Sequence, residues 1–327
     1  MMFSVGPWEL AIVLSKALSY LGLVSLSGGI FVLWLGTRVQ PATLSRHNHS
    51  LEDKSRTGSA PTGGWSAQTR LRLVNLLLLA CVVGAFAVVL FYLLQVGVIN
   101  QMGMSGMFDI GMISLLAQSS VGHGAGLKLG GFGLAGAVVM LCRSDLLSSR
   151  KRLPLLLICG WLLATILFAA SFALLGHIAE LGLLPRLAII AHIVVIGLWI
   201  GALYPLYLLA GSESSERVRP LLQLFGKAGW IIIFGLLVTG VTLVWQVLGN
   251  VSELFSTPYG LLLLLKLVLV SCLLCLAALN KFRLVPALTG AGEDSLRRSI
   301  MAEMMLALFI LLLTATMTTI TGPVYLM

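Results

Sequence analysis

Three of the five histidines, His123, His177 and His192, lie inside or at the edge of long apolar runs. Depth can be counted from the basic end of each run at 1.5 Å per residue. His192 lies 18 residues from Ala210, roughly 27 Å. His177 lies 23 residues beyond Pro154, roughly 34 Å. His123 lies 19 residues before Cys142, roughly 28 Å. All three reach a similar level near one membrane boundary. His177 and His192 flank a tight hairpin, so a short turn sets both rings at the same end of two antiparallel helices. An ionisable residue in a membrane segment is a functional-site hypothesis by default; packing hydrogen bonds between helices are the plainer reading.

Beside His123 lies the stretch Gln101-Met-Gly-Met-Ser-Gly-Met-Phe-Asp-Ile-Gly-Met112. It sets Met102, Met104 and Met107 in a short glycine-rich context. Thioether sulfur is a soft, uncharged ligand for Cu(I), and imidazole accepts Cu(I) and Cu(II). Methionine also fills irregular apolar gaps, so capture of a soft metal and interfacial packing both stand. His47 and His49 form an H-x-H pair in a polar loop and read as solvated. Cys272 and Cys275 form a C-x-x-C within an apolar run. Without the strand-to-helix setting of a redox motif they read as small hydrophobes, with a Cu(I) pair along an inward route as the alternative.

Four cations stand apart from the other basic residues: Lys16, Lys128, Arg186 and Lys266. Glu9, Asp109, Glu180 and Glu253 are expected on the same side. Lys128 and Arg186 are expected to snorkel to the interface. Lys16 and Lys266 predict a polar cavity, because a lysine in lipid is costly unless paired or facing water.

The elements that position these residues follow from composition. Of 327 residues, 58% are hydrophobic and 10% charged, with a mean hydropathy of +1.02. Soluble domains carry roughly 25% charged residues, so lipid must serve as the solvent. Apolar runs at 10–36, 71–99, 125–142, 154–176, 184–210, 227–249, 259–280 and 299–322 each approach or exceed the ~20 residues that span a bilayer. Backbone groups in lipid must be satisfied within the segment, so the runs are helices. The expected fold is an all-α integral membrane bundle of eight transmembrane helices in one domain, 1–327. The first run lacks a basic n-region and a small-residue cleavage site and is expected to stay on the protein. Residues 41–70 read as a flexible polar loop. Gly122-x-x-x-Gly126-x-x-x-Gly130 is expected to be a close-packing face.

Seventeen of the 21 basic residues fall in alternate loops, at 37–72, 143–153, 211–227 and 281–298. The opposite loops near 100–124, 177–183 and 250–258 hold none. The positive-inside rule then makes the basic loops cytoplasmic and both termini periplasmic. The net charge of +9 is a consequence of this asymmetry and no sign of nucleic-acid binding. No P-loop or phosphorylation motif is present, and no enzymatic activity is expected.

Ser171-Phe-Ala-Leu-Leu-Gly-His177, Ala191-His192 and Gly197-Leu-Trp199-Ile-Gly201-Ala-Leu-Tyr-Pro205-Leu resemble the copper resistance protein D (CopD) family. So do Thr257-Pro-Tyr-Gly260, the run through Lys266, and Ala278-Leu-Asn280-Lys-Phe-Arg-Leu-Val-Pro286. The resemblance covers most of the chain and is best from about 150 to 290. It implies a multi-pass inner-membrane protein of copper homeostasis that moves copper, often with a periplasmic CopC-like partner. His177, His192, Trp199 and Lys266 match the family pattern, whereas His123 and the methionines rest on their own chemistry. Two other readings remain: a haem b oxidoreductase with histidine ligands on facing helices, and an accessory that delivers copper to an oxidase.

Overall fold

The computed structural model describes residues 6–39, 65–148, 152–174, 182–247, 250–288 and 292–320. Among these residues the secondary structure is helical, without strands. Most of the expected polar loop 41–70, with His47 and His49, lies outside the described residues. Among the described residues, eight helices are long and apolar enough to cross a bilayer: α1 (Pro7–Arg38), α2 (Ala67–Asn100), α5 (Ser120–Leu141), α7 (Leu155–Ala173), α8 (Leu183–Ser212), α9 (Ser215–Val247), α11 (Pro258–Leu279) and α12 (Glu293–Ile320). Between them lie the short helices α3 (Gly103–Gly106), α4 (Ile110–Ala117), α6 (Arg143–Leu147) and α10 (Glu253–Ser256).

Local chemistry sets the helix starts. Ser66, Asp109, Ser119 and Thr257 each accept a hydrogen bond from the amide three residues on, at 3.2, 2.8, 3.4 and 2.9 Å, which satisfies an otherwise orphaned N–H. Pro7 and Pro258 open α1 and α11, where a missing N–H costs nothing. Six of the expected spans agree with these helices to within about five residues. The largest differences are α9, which begins at Ser215 rather than 227, and α12, which begins at Glu293 rather than 299. Their first turns are polar and charged, with Glu216 in α9 and Glu293 and Asp294 in α12, so hydropathy misses helix that continues past the hydrocarbon.

Helix α1 is the axis of the bundle. Of its most apolar window 78% is buried inside the protein, against 6% for the α9 span and 11% for the α11 span. It packs on α2, α8 and α12. One buried cluster joins α1 to α2, α5 and α7 through Leu26, Leu77, Phe132 and Phe168. A second joins α1 to α8, α9, α11 and α12 through Val32, Leu206, Leu221, Leu273 and Leu296.

Glycine permits the closest approach in a different place from the one expected. A Cβ on Gly201 of α8 would overlap the Val24 carbonyl oxygen of α1, and one on Gly28 of α1 would overlap the backbone of Gly201. Such backbone contact is the route by which helices associate in lipid. A Cβ at Gly126 or Gly130 meets nothing within 4 Å, and Gly122 abuts the backbone of Leu116 and Ala117. The Gly122–Gly130 series is therefore not a helix–helix seam. Its two later members lie on an open face of α5, and its first makes room for the turn out of α4.

Candidate functional site

One imidazole is held in a defined orientation between two long helices. His192 lies nine residues into α8, roughly 14 Å along the helix. Thr239 lies eight residues before the end of α9, roughly 12 Å. Lys266 lies eight residues into α11, again roughly 12 Å. Alternating helix directions bring the three to one level, near the end of the bundle that carries α3, α4 and α10.

The His192 Nδ1 atom stands 2.9 Å from Thr239 Oγ1. Thr239 Oγ1 also lies 2.6 Å from the carbonyl oxygen of Gly235, to which it donates its only proton. The threonine oxygen is then the acceptor, so Nδ1 carries the imidazole hydrogen and Nε2 keeps its lone pair. A ligating histidine characteristically donates its other N–H to a fixed acceptor, which sets tautomer and ring orientation. Gly240 stands beside the ring, where a Cβ would come within 3.6 Å of His192 Cε1. Lys266 is within electrostatic reach of the ring, and all three side chains are half-buried.

The other candidate ligands are dispersed. His177 lies outside the described residues, as does Glu180. His123 is exposed near the start of α5. Met102 and Met104 are 63% and 75% exposed around α3. Met107 is buried in a small apolar cluster with Ile12 and Leu94, and its Cγ lies 2.9 Å from where a Gly97 Cβ would be. Two methionines are thus open to a soluble ligand, and one fills a gap between α1 and α2. Among the described residues no three His, Cys, Asp or Glu side chains gather as a metal cluster. Cys272 and Cys275 are exposed on α11. They line an apolar recess with Leu267 and Leu276 of the same helix and Leu306 of α12, which adds no further sulfur or imidazole to the pair.

The lysines also separate. Lys16 of α1 donates to the carbonyl oxygen of Thr318 in α12 at 3.0 Å and lies 5.8 Å from the Phe91 ring centroid. Lys128 is buried rather than snorkelling. Its ammonium stands 4.7 Å from the Phe172 ring and 5.8 Å from Tyr20, because rings on α7 and α1 close over it before it can reach the interface. Asp109 is committed to capping α4.

Residues 219–317 match the model of the copper resistance protein D family. This segment resembles the CopD family. The match includes most of α9, all of α11 and most of α12. It takes in Thr239, Lys266 and the second group of resembling residues, 257–286, and leaves His192 and the group at 171–205 outside. No curated protein and no solved structure matches the chain. The eight apolar helices among the described residues mark a multi-pass membrane protein, and the segment similar to a copper resistance family lies within its last three spans. Thr239 carries no titratable group and escapes a search for ligand types. Its one sequence signal is a hydroxyl in a largely apolar stretch, a signal that Thr242 shares.

Proposed function

We propose that the chain binds copper as cargo at the α3–α4–α10 end of the bundle, taken as periplasmic, and carries it into the cytoplasm. The observation that supports this most is the fixed tautomer of His192, whose orienting hydroxyl, Thr239, belongs to the CopD segment. One imidazole with a free Nε2 suits copper in either oxidation state but does not complete a site. Met102 and Met104 would capture the ion from solution, and His177 and His123 would contribute further ligands at the boundary. Lys266, beside His192, would favour release by repelling a bound cation, so the site passes copper on rather than storing it. A separate periplasmic CopC-like protein would supply the ion, and the inner membrane is the compartment.

Vesicles containing the purified chain and exposed to external copper test this reading. Copper should enter the lumen faster than in protein-free vesicles, and His192→Ala should abolish the difference. Copper that stays bound to the chain and never enters would make it a delivery accessory instead.

A further inference from the structure

Helix α12 carries a carboxyl group deep in the bundle, far from the His192 cleft. Glu303 is 3% exposed and lies ten residues into α12, roughly 15 Å along the helix. Its partner is Asn280, 9% exposed, which opens the π-helical turn Asn280–Leu284 after α11. The wider turn closes with a hydrogen bond from the Val285 amide to the Asn280 oxygen at 2.9 Å. Such π turns are rare and recur at functional sites.

The Asn280 amide nitrogen Nδ2 donates to Glu303 Oε1 at 2.6 Å. Among the described residues, the amide oxygen Oδ1 is buried with no hydrogen-bond partner. An ionised carboxyl has no hydrogen to offer it, and a buried unpaired acceptor is costly. A protonated carboxyl supplies the missing donor, so acid and amide can satisfy each other reciprocally. Exchanging the amide O and N, which are nearly indistinguishable, leads to the same result, since two oxygens 2.6 Å apart also require a shared proton.

Among the described residues no cation forms an ion pair with Glu303, and Arg219 of α9 donates to the Pro286 oxygen at 2.9 Å. From the π turn, Lys281 donates to the Gly226 oxygen at 2.5 Å and lies 4.3 Å from the Trp230 ring centroid. Arg283 is exposed. From α12, Arg297 donates to Tyr207 Oη of α8 at 3.2 Å, and Arg298 turns back to the Asp294 oxygen at 3.3 Å. On α1, the cation at the same end, Arg38, stacks 4.9 Å from the Trp34 ring.

We propose that Glu303 is a proton-binding site, holding a proton from water at neutral pH in a reciprocal pair with Asn280 at the seam between α11 and α12. This site does not depend on copper binding at His192. A carboxyl that exchanges a proton within a transmembrane seam is the chemical element of proton-linked transport. Lys266, eight residues into α11, and this site's partner Asn280, just past the end of α11, are 14 residues apart, roughly 21 Å.

Infrared spectra of the purified chain in water and in deuterium oxide test the proposal. Wild type at neutral pH should show the carbonyl band of a buried protonated carboxyl, shifted by deuterium. Glu303→Gln, which preserves a neutral reciprocal pair, should lack it. Asn280→Leu should keep the band and move its frequency, because the amide partner is gone. Identical carboxyl regions in wild type and Glu303→Gln would overturn the proposal. Should Glu303→Gln not fold, a band absent from wild type, or one unmoved by Asn280→Leu, would overturn it equally.

Discussion

His192 of α8 and Thr239 of α9 face each other at 2.9 Å, and the threonine's own proton is spent on Gly235. This arrangement leaves the second imidazole nitrogen without a hydrogen-bond partner among the described residues and aims it by a hydroxyl that is no metal ligand itself. Thr239→Val keeps the shape and removes the acceptor. Copper affinity should fall by about 10–100-fold, the usual effect of losing such a supporting contact, while Thr239→Ser restores it. Copper titration of the purified variants checks this. Equal affinity in all three proteins would return the contact to ordinary helix packing.

The methionines should divide by exposure. Changing Met102 and Met104 together to Leu should lower copper accumulation at limiting external copper and leave thermal stability unchanged, since both are exposed. Met107→Ala should cost about 2–5 kcal/mol of stability by opening a cavity, whereas Met107→Leu should cost under about 1.5 kcal/mol. Accumulation assays beside thermal unfolding in detergent separate the two roles. Unaltered accumulation in the double variant would remove the capture step.

At the opposite end of the bundle, Glu213 ties the start of α2 to the α8–α9 junction. Its Oε1 accepts from the Ser66 amide at 2.7 Å and its Oε2 from Arg217 at 3.3 Å. Burial pushes this carboxyl up, but hydrogen bonds from Ser66, Thr69 and Arg217 outweigh it and hold it below the ordinary glutamate range. A carboxyl depressed in the folded state stabilises above its unfolded pKa, about 4.3. That contribution is lost as pH falls from there through the depressed native value. Thermal unfolding should therefore show an acid-side loss in wild type that is smaller in Glu213→Gln. Parallel pH profiles would contradict it.

Much of the fold follows from hydropathy because lipid imposes one simple demand, an unbroken apolar helix of bilayer length. The site is less legible. Apolarity reports how much of a helix is greasy and not which neighbour each face meets. The glycines of α5 therefore look like a seam although Gly126 and Gly130 face open space, while the true contact joins Gly28 to Gly201. Lys128 has the length to snorkel, and only the rings of Phe172 and Tyr20 reveal that it does not. Thr239 becomes informative only opposite His192. Glu303 has a sequence signal, a lone carboxylate within the apolar run 299–322, whose meaning depends on Asn280 from another element. His177 lies outside the described residues, so its partnership with His192 rests on the hairpin topology.

Orientation is tested by reporter fusions. The basic loops predict cytoplasmic signals after residues 60, 148, 215 and 290, and periplasmic signals after 105 and 327. A cytoplasmic signal after 327 would break the eight-span arrangement with both termini outside.

The most direct measurement is the metal content and optical spectrum of the purified protein, beside His192→Ala and His177→Ala. Wild type should carry copper, each substitution should lower its occupancy, and no strong Soret band should appear before or after dithionite. A stoichiometric Soret band without copper, bleached by either substitution, would contradict copper binding and make the histidines haem ligands.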